Sequence, residues 1–554
     1  MDRAQGQVVH ETRITAPSWQ KVPINSDYDH WLTIKFERKV LVIVRTVTSL
    51  TRLLDVLTLL ESDYRIQTVF TFNANHPAIF SAGVAELLSK LKVTVIPWEQ
   101  AKLAQFDLAI AASENDRLHE INAPILLIPH GIGYQKYYPR SRVVAGMDPE
   151  RLLRNGRVVP AAIALSHSEQ LALLQAASPQ LYSRAVVIGD PCHDRLMAGI
   201  HRTSAYREAL NSGDKPLIVL ASTWGPGSLL GNARELPFRI VTELPYDSYR
   251  CCIILHPGIT AAHSSWQIDR WLAEAKSAGL QVIPGEAGWQ AALTAASCVV
   301  SDRGSLAVYA AALGKPVLMV GDDAESTIPG SPIAELAAIA SRLSLSDPLE
   351  PQISLAIHRH ISTDYEAIVK QAISIPGVSA EILRSTLYQL MNISEPDRRA
   401  SFPPYEIPAR FNLPTSTFIV GLEGSSNKLI RFPTNSSSQN LEQSHIVAHE
   451  TSSTATDLGV ASIVYSREFR DETTFSSWAE QVIREWPNAT IAAAVTRDST
   501  CLVHFRDGPQ FKLSLDSSAI DPLLSASMGY FQIYRNRKDF IVNDKNVQLS
   551  IHPL

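Results

Sequence analysis

The chain has 554 residues, 45% of them hydrophobic, and at roughly 100–200 residues per domain it has room for about three domains with sizeable cores. Its 50 basic against 55 acidic residues give a formal net charge of -5, with no long basic block, which excludes an electrostatic case for a nucleic-acid partner. Five cysteines (Cys192, Cys251, Cys252, Cys298, Cys501), odd in number, without a CxxC spacing and mostly in apolar runs, predict reduced thiols in a cytoplasmic protein.

The first residues, "MDRAQGQVVHETRITAPSWQ", hold no apolar h-region, and 1–35 reads as a polar arm. No later segment reaches about 18 uninterrupted apolar residues, so no transmembrane segment is expected, while peripheral membrane contact stays open. From "KVLVIVRT" onward, short β-branched runs alternate with helical spacing: "IQTVFTF", "VTVIPW", "FDLAIAAS", "APILLIPHG", "PAAIALSH" and "AVVIGDP". Runs this apolar are buried on both faces, and strands alternating with helices predict a doubly wound parallel sheet over 36–205. A second series, "PLIVLAST", "RCCIILHPG", "LQVIPG", "SCVVSD" and "KPVLMVGD", predicts another such domain over 206–395. Its last segments, including "SAEILRSTLYQLM", read as helices that either cover the second sheet or cross back to the first. Residues 396–458 are rich in Pro, then Ser, Thr and Asn, and are expected to be a linker or mobile loop, followed by a small α+β domain over 459–554.

In an open α/β sheet ligands gather at the carboxyl ends of strands, and five stretches there carry chemistry. In "PHGIGYQK", His130 precedes Gly131 and Lys136, and serves either as a general base or as a loop histidine bonded to the backbone. In "GDPCHDR", Gly189, Pro191 and Asp194 read first as a turn and a helix cap, and Cys192 with His193 lacks the further ligands a zinc site needs. "ASTWGPGSLLG" sets Ser222 and Thr223 before a glycine-rich loop whose spacing matches neither the dinucleotide fingerprint nor a P-loop, and which reads either as a hydroxyl-bearing phosphate loop or as a plain turn. "LHPG" ends a strand with His256, which serves either as a donor to a diphosphate or as a satisfied histidine at a domain edge. In "SDRGSLAVYAAALGKP", Asp302, Gly304 and Ser305 fall at the start of a helix, where capping and anion binding are compatible readings. No metal site and no cofactor are expected.

Taken in order, these motifs resemble those of GT-B glycosyltransferases, and most of all the CDP-glycerol glycerophosphotransferase (teichoic-acid type) family. The matching positions are His130, Gly131 and Lys136; Gly189, Pro191 and Asp194; Thr223 and Trp224; His256 and Pro257; Ser301, Asp302, Gly304 and Ser305; and Gly314, Lys315 and Pro316. Departures are Ser222 for a proline, Cys192 and His193 at a basic position, and Gly304 for a serine. The resemblance implies two Rossmann-like domains facing a cleft and a nucleotide-activated donor, CDP-glycerol or an NDP-sugar. Donor contacts are then Ser222, Thr223, His256, Asp302, Gly304 and Ser305, and the catalytic pair is His130, as base for an acceptor hydroxyl, with His256. Such an enzyme would serve cell-envelope or secondary polymer synthesis. The alternatives are a UDP- or NDP-sugar glycosyltransferase or 2-epimerase, and a non-catalytic GT-B binding protein.

Overall fold

The computed structural model describes residues 20, 22, 32–74, 78, 81–138, 140–321, 324–411, 415–424, 426–434, 441–468 and 471–554. The expected arm over 1–35 thus falls almost wholly outside the described residues. The chain divides into two compact units, unit 1 drawn from 1–134, 142–194 and 374–402, and unit 2 from 135–141, 195–373 and 403–554.

Unit 1 begins with β1 (Arg38–Val44) and α1 (Val47–Leu57), whose start is fixed by a reciprocal capping box between Thr46 and Ser49. It continues through β2 (Ile66–Phe72), β3 (Val95–Pro97), β4 (Leu108–Ala111), β5 (Ile125–Leu127), β6 (Ala162–Leu165) and β7 (Ala185–Val187). All seven pair in parallel, in the order β3-β2-β1-β4-β5-β6-β7. The alternation of a strand explains the doubly apolar sequence of β1, since Val40, Val42 and Val44 enter one core while Leu41 and Ile43 enter the other. Strand order reverses between β1 and β4. After β7, α2 (Pro191–Ala198) starts where the Asp190 carboxylate accepts the His193 N–H at 2.7 Å.

Unit 2 contains a second parallel sheet: β8 (Leu217–Ser222), β9 (Arg250–Leu255), β10 (Gln281–Ile283), β11 (Cys298–Ser301) and β12 (Val317–Met319), in the order β10-β9-β8-β11-β12. The one-turn α3 (Leu229–Asn232) follows β8, α4 (Pro257–His263) follows β9, and α5 (Ser305–Ala312) follows β11. Beyond β12 come α6 (Pro332–Ile339) and α7 (Leu349–Arg359). The next long helix, α8 (Ser379–Met391), crosses back: its Leu383, Leu387 and Tyr388 lie in the core of unit 1 with Val42 and Leu50. Of the two destinations open to this segment, the structure takes the first sheet.

The segment expected to be linker or loop, 396–458, holds three strands, β13 (Thr417–Glu423), β14 (Leu429–Pro433) and β15 (Leu441–His449). They join β16 (Ile463–Ser466), β17 (Ile491–Val495), β18 (Cys501–Phe505), β19 (Gln510–Leu515) and β20 (Leu549–Pro553) in one eight-stranded sheet, ordered β14-β13-β15-β16-β17-β18-β19-β20. Part of the polar stretch, 435–440, lies outside the described residues. Among the described strands β15, β16 and β17 run parallel and the others pair antiparallel. Helix α9 (Glu472–Glu485) covers one face through Phe475 and Ala479, and α10 (Leu524–Arg535) the other through Met528 and Phe531. The α+β class expected for the C-terminal region stands, with the sheet beginning some forty residues earlier than the composition suggested.

Candidate functional site

In unit 2 the strand order reverses between β8 and β11, so their carboxyl ends open the crevice where such sheets hold ligands. Asp302, just past β11, is 1% exposed and works beneath that crevice. Its Oδ2 accepts the Thr223 N–H at 2.8 Å, the Thr223 hydroxyl at 2.9 Å and the Leu229 N–H at 2.7 Å, which fixes the loop after β8. Burial pushes the Asp302 carboxyl up, and those three donors together with the charge of Lys136 oppose the shift. Its Oδ1 is buried without a hydrogen-bond partner. Ser222 is scaffolding too: buried, it donates to the Thr223 carbonyl at 3.0 Å and accepts the Leu230 N–H at 3.1 Å.

Gly304, the N-cap of α5, is negative in φ, so handedness does not require a glycine there. Space does: a Cβ at 304 would stand 2.6 Å from the Thr223 Cγ2 and 3.3 Å from the Asp302 Oδ1. Any side chain at 304 would thus press on the β-branched Thr223 opposite. Without a Cβ at 304, α5 begins with no side-chain cap and no acid in its first turn, and Ser305 is exposed there. One strand over, His256 caps α4, its Nδ1 accepting the Gly258 N–H at 2.9 Å. That bond assigns the proton of the neutral ring to Nε2, which makes His256 a hydrogen-bond donor at the end of β9.

Lys136 lies where its sequence neighbours do not lead one to look. Residues 135–141 belong to unit 2, where Ile328 donates to the Gln135 carbonyl at 3.0 Å, Tyr137 to the Ser326 carbonyl at 2.9 Å, and Ile333 to the Gln135 Oε1 at 2.8 Å. Lys136 itself bridges Thr327 as a strand would.

In unit 1 the reversal falls between β1 and β4. Arg45, after β1, meets Asp116, after β4, at 2.7 Å. His130 follows β5, with an exposed residue surface. Although water reaches it, the surrounding chain displaces enough solvent to lower its imidazole pKa, and the carboxylate of Glu114 and a hydrogen bond with the Ala112 backbone oppose that shift. Glu114 is 2% exposed and accepts the Gly146 N–H at 2.6 Å. Sequence reading passed over Arg45, Glu114 and Asp116, although the rule that flagged His130, position just past a strand, applies to each of them.

Asp194 was expected to cap the helix it precedes; Asp190 does that, and Asp194 lies inside α2. Its carboxylate accepts the Gly377 N–H at 2.7 Å, the Ser379 N–H at 3.0 Å and the Ser379 hydroxyl, and so holds the first turn of the returning helix α8. Gly189, with φ of 74°, lets the Ile375 carbonyl approach to 2.8 Å of where a Cβ would stand. These motif positions serve the join within unit 1. Among the described residues no group of three or more His, Cys, Asp or Glu side chains is placed to hold a metal ion.

No family model matches the chain, and no curated protein does. Among solved structures, the wall teichoic acid polymerase TagF is similar at 12% identity and a TM-score of 0.43, over 65% of this chain and 90% of that one. The UDP-GlcNAc 2-epimerase from Neisseria meningitidis bound to UDP-GlcNAc is similar at 16% identity and a TM-score of 0.42, over 63% and 100%. Anabaena Alr3699/HepE in complex with UDP and glucose is similar at 13% identity and a TM-score of 0.35, over 64% and 100%.

Proposed function

We propose that this chain is a GT-B-type transferase that moves a phosphoglycerol-type or glycosyl group from a nucleotide-activated donor to an acceptor hydroxyl. The observation that carries the reading is the set of groups at the carboxyl ends of three adjacent strands of unit 2: the loop after β8 that Asp302 fixes through Thr223, the His256 donor after β9, and the uncapped start of α5 with Ser305 after β11. Such a set suits a diphosphate. Aligned N–H groups at a helix start, a hydroxyl and an imidazole N–H stabilise the negative charge that builds on the leaving nucleotide as its bond to the transferred group breaks.

The acceptor hydroxyl needs a base, and His130 is the residue we assign. Its lowered pKa keeps the imidazole neutral near pH 7, the form that takes a proton. In this reading the residues at the switch point of unit 1 serve the acceptor, the first sheet of unit 2 serves the donor, and the protein works in the cytoplasm on an envelope or secondary polymer. An NDP-sugar donor is the second reading, favoured by Gly304, which leaves the start of α5 one hydroxyl poorer than the serine pair of the glycerophosphotransferases.

The test is a panel of CDP-glycerol, CDP-ribitol, UDP-glucose and UDP-GlcNAc, followed for binding and for nucleotide release. Release from CDP-activated polyols supports the first reading, and response to UDP-sugars alone replaces it with the second. Binding without release, unchanged in His130→Ala, would mean a binding protein.

A further inference from the structure

The crevice of unit 2 combines features that would oppose each other around a diphosphate. The start of α5 attracts anions, having neither a side-chain cap nor an acidic residue in its first turn. Beneath it sits Asp302, whose Oδ2 is saturated by three donors and whose buried Oδ1 has no hydrogen-bond partner. A carboxylate at that depth, when ionised, repels a second anion through protein, where the repulsion is stronger than through water. A diphosphate site built on it needs a cation of its own.

None of the motif residues assigned to the donor is basic: Ser222, Thr223, Asp302, Gly304 and Ser305 carry no positive charge, and His256 is held as a neutral donor by its bond to Gly258. The cation comes from elsewhere in the sequence. After Tyr134 the chain leaves unit 1, lays 135–137 along 326–328 of unit 2, and rejoins unit 1 at Arg142. This sets Lys136 against Thr327, in the stretch that follows β12, the strand paired with β11 and so next to Asp302. The backbone of the segment is pinned on both sides of Lys136, by Gln135 to Ile328 and by Tyr137 to Ser326, so the position of the lysine does not depend on its side chain.

We propose that Lys136 is the phosphate-binding cation of the unit 2 site, offsetting the buried charge of Asp302 so that the start of α5 can accept the diphosphate of a nucleotide donor. The inference rests on the proposed donor site and adds to it a residue of unit 2 that lies outside the donor motifs in sequence. The ligand class it implies is a nucleoside diphosphate with at least two phosphates in reach, rather than a nucleoside alone.

The experiment measures binding of CDP, UDP, cytidine and uridine to the full chain and to Lys136→Gln and Lys136→Arg, by titration calorimetry, with thermal unfolding as a check on folding. Expected are a loss of tenfold or more in diphosphate affinity for Lys136→Gln, substantial recovery in Lys136→Arg, an unchanged response to the nucleosides, and a Tm within a few degrees of the parent. Equal diphosphate affinity in Lys136→Gln and the parent overturns the role of Lys136 and leaves the donor site standing. Failure of the parent to bind either diphosphate overturns the donor site itself, and the inference with it. A drop that is the same for nucleosides and diphosphates also overturns it, since a phosphate contact cannot weaken a ligand without phosphate.

Discussion

Two side chains decide what the candidate site tolerates. At 304 a Cβ would stand 2.6 Å from the Thr223 Cγ2, and the obstacle is a methyl on a β-branched residue whose hydroxyl is bonded to Asp302, so it has little freedom to turn away. Gly304→Ser is expected to destabilise the protein by about 1–3 kcal/mol through overpacking. Thr223→Ser removes that methyl and keeps the hydroxyl, so the double variant should recover most of the loss; additive losses in urea titrations would refute the steric account. His130 makes a second prediction. With its imidazole pKa lowered by desolvation, the acid limb of kcat/KM should fall below pH 6.5, activity rising as pH increases through the shifted value. The charge of Glu114 works the other way, favouring the protonated ring. Glu114→Gln keeps an oxygen to accept the Gly146 N–H and should move the limb further down; an upward move would show that Glu114 does not act on His130 through its charge.

Between elements, the join of α2 to α8 rests on one carboxylate. Asp194 satisfies three donors at the start of a helix 185 positions later, where the first-turn N–H groups have no partner within the helix. Asp194→Ala should cost about 1–2 kcal/mol, as loss of a helix cap does, and should speed amide exchange over 377–391 more than in β1 or β4. Uniform exchange rates would argue against a local role. The contrast between this helix and the strands shows what a sequence makes readable. The strands β1, β4, β8 and β9 could be read because burial on both faces requires an unbroken apolar run. The spacing of α8 was equally plain, but its destination was not, because that depends on a carboxylate far away in the chain. β15 was hidden for a different reason: its first four residues are partly or fully exposed, and only its second half carries a buried pattern. At the site, residues directly after strands could be found by that rule alone, whereas Lys136 could not. Its place is set by the Ile328 N–H donating to the Gln135 carbonyl and the Tyr137 N–H donating to the Ser326 carbonyl, and no local pattern encodes partners so distant in the chain.

At the scale of the molecule, the eight-stranded sheet is joined to the second parallel sheet within unit 2 by a buried charge network. Arg431, in β14 and 2% exposed, reaches Asp247 at 2.7 and 2.8 Å and Asp521 at 2.7 Å, with the rings of Tyr246 and Phe418 against its guanidinium. Arg467 shares Asp521 at 2.6 Å. Arg431→Ala would take from the buried Asp247 the guanidinium that bonds both its oxygens, a loss of about 3–5 kcal/mol, seen as a lower urea midpoint. A loss below about 1 kcal/mol would mean that the sheets hold together without the network. Burial raises the Asp521 carboxyl, but Arg431 and Arg467 outweigh it and hold the group below the usual carboxylate range. Its contribution is therefore present at neutral pH and is lost as the solution is acidified through the shifted value. The excursion of 135–141 onto unit 2 has a consequence in time. Lys136 emerges from the ribosome about 190 residues before its bridge partner Thr327, a gap of roughly 10–40 s at about 5–20 residues per second. Throughout that interval the first sheet can assemble while this short stretch stays unpaired, so unit 2 cannot be completed until synthesis has passed β12, and a nascent chain halted before 326 would carry it exposed to chaperones and proteases.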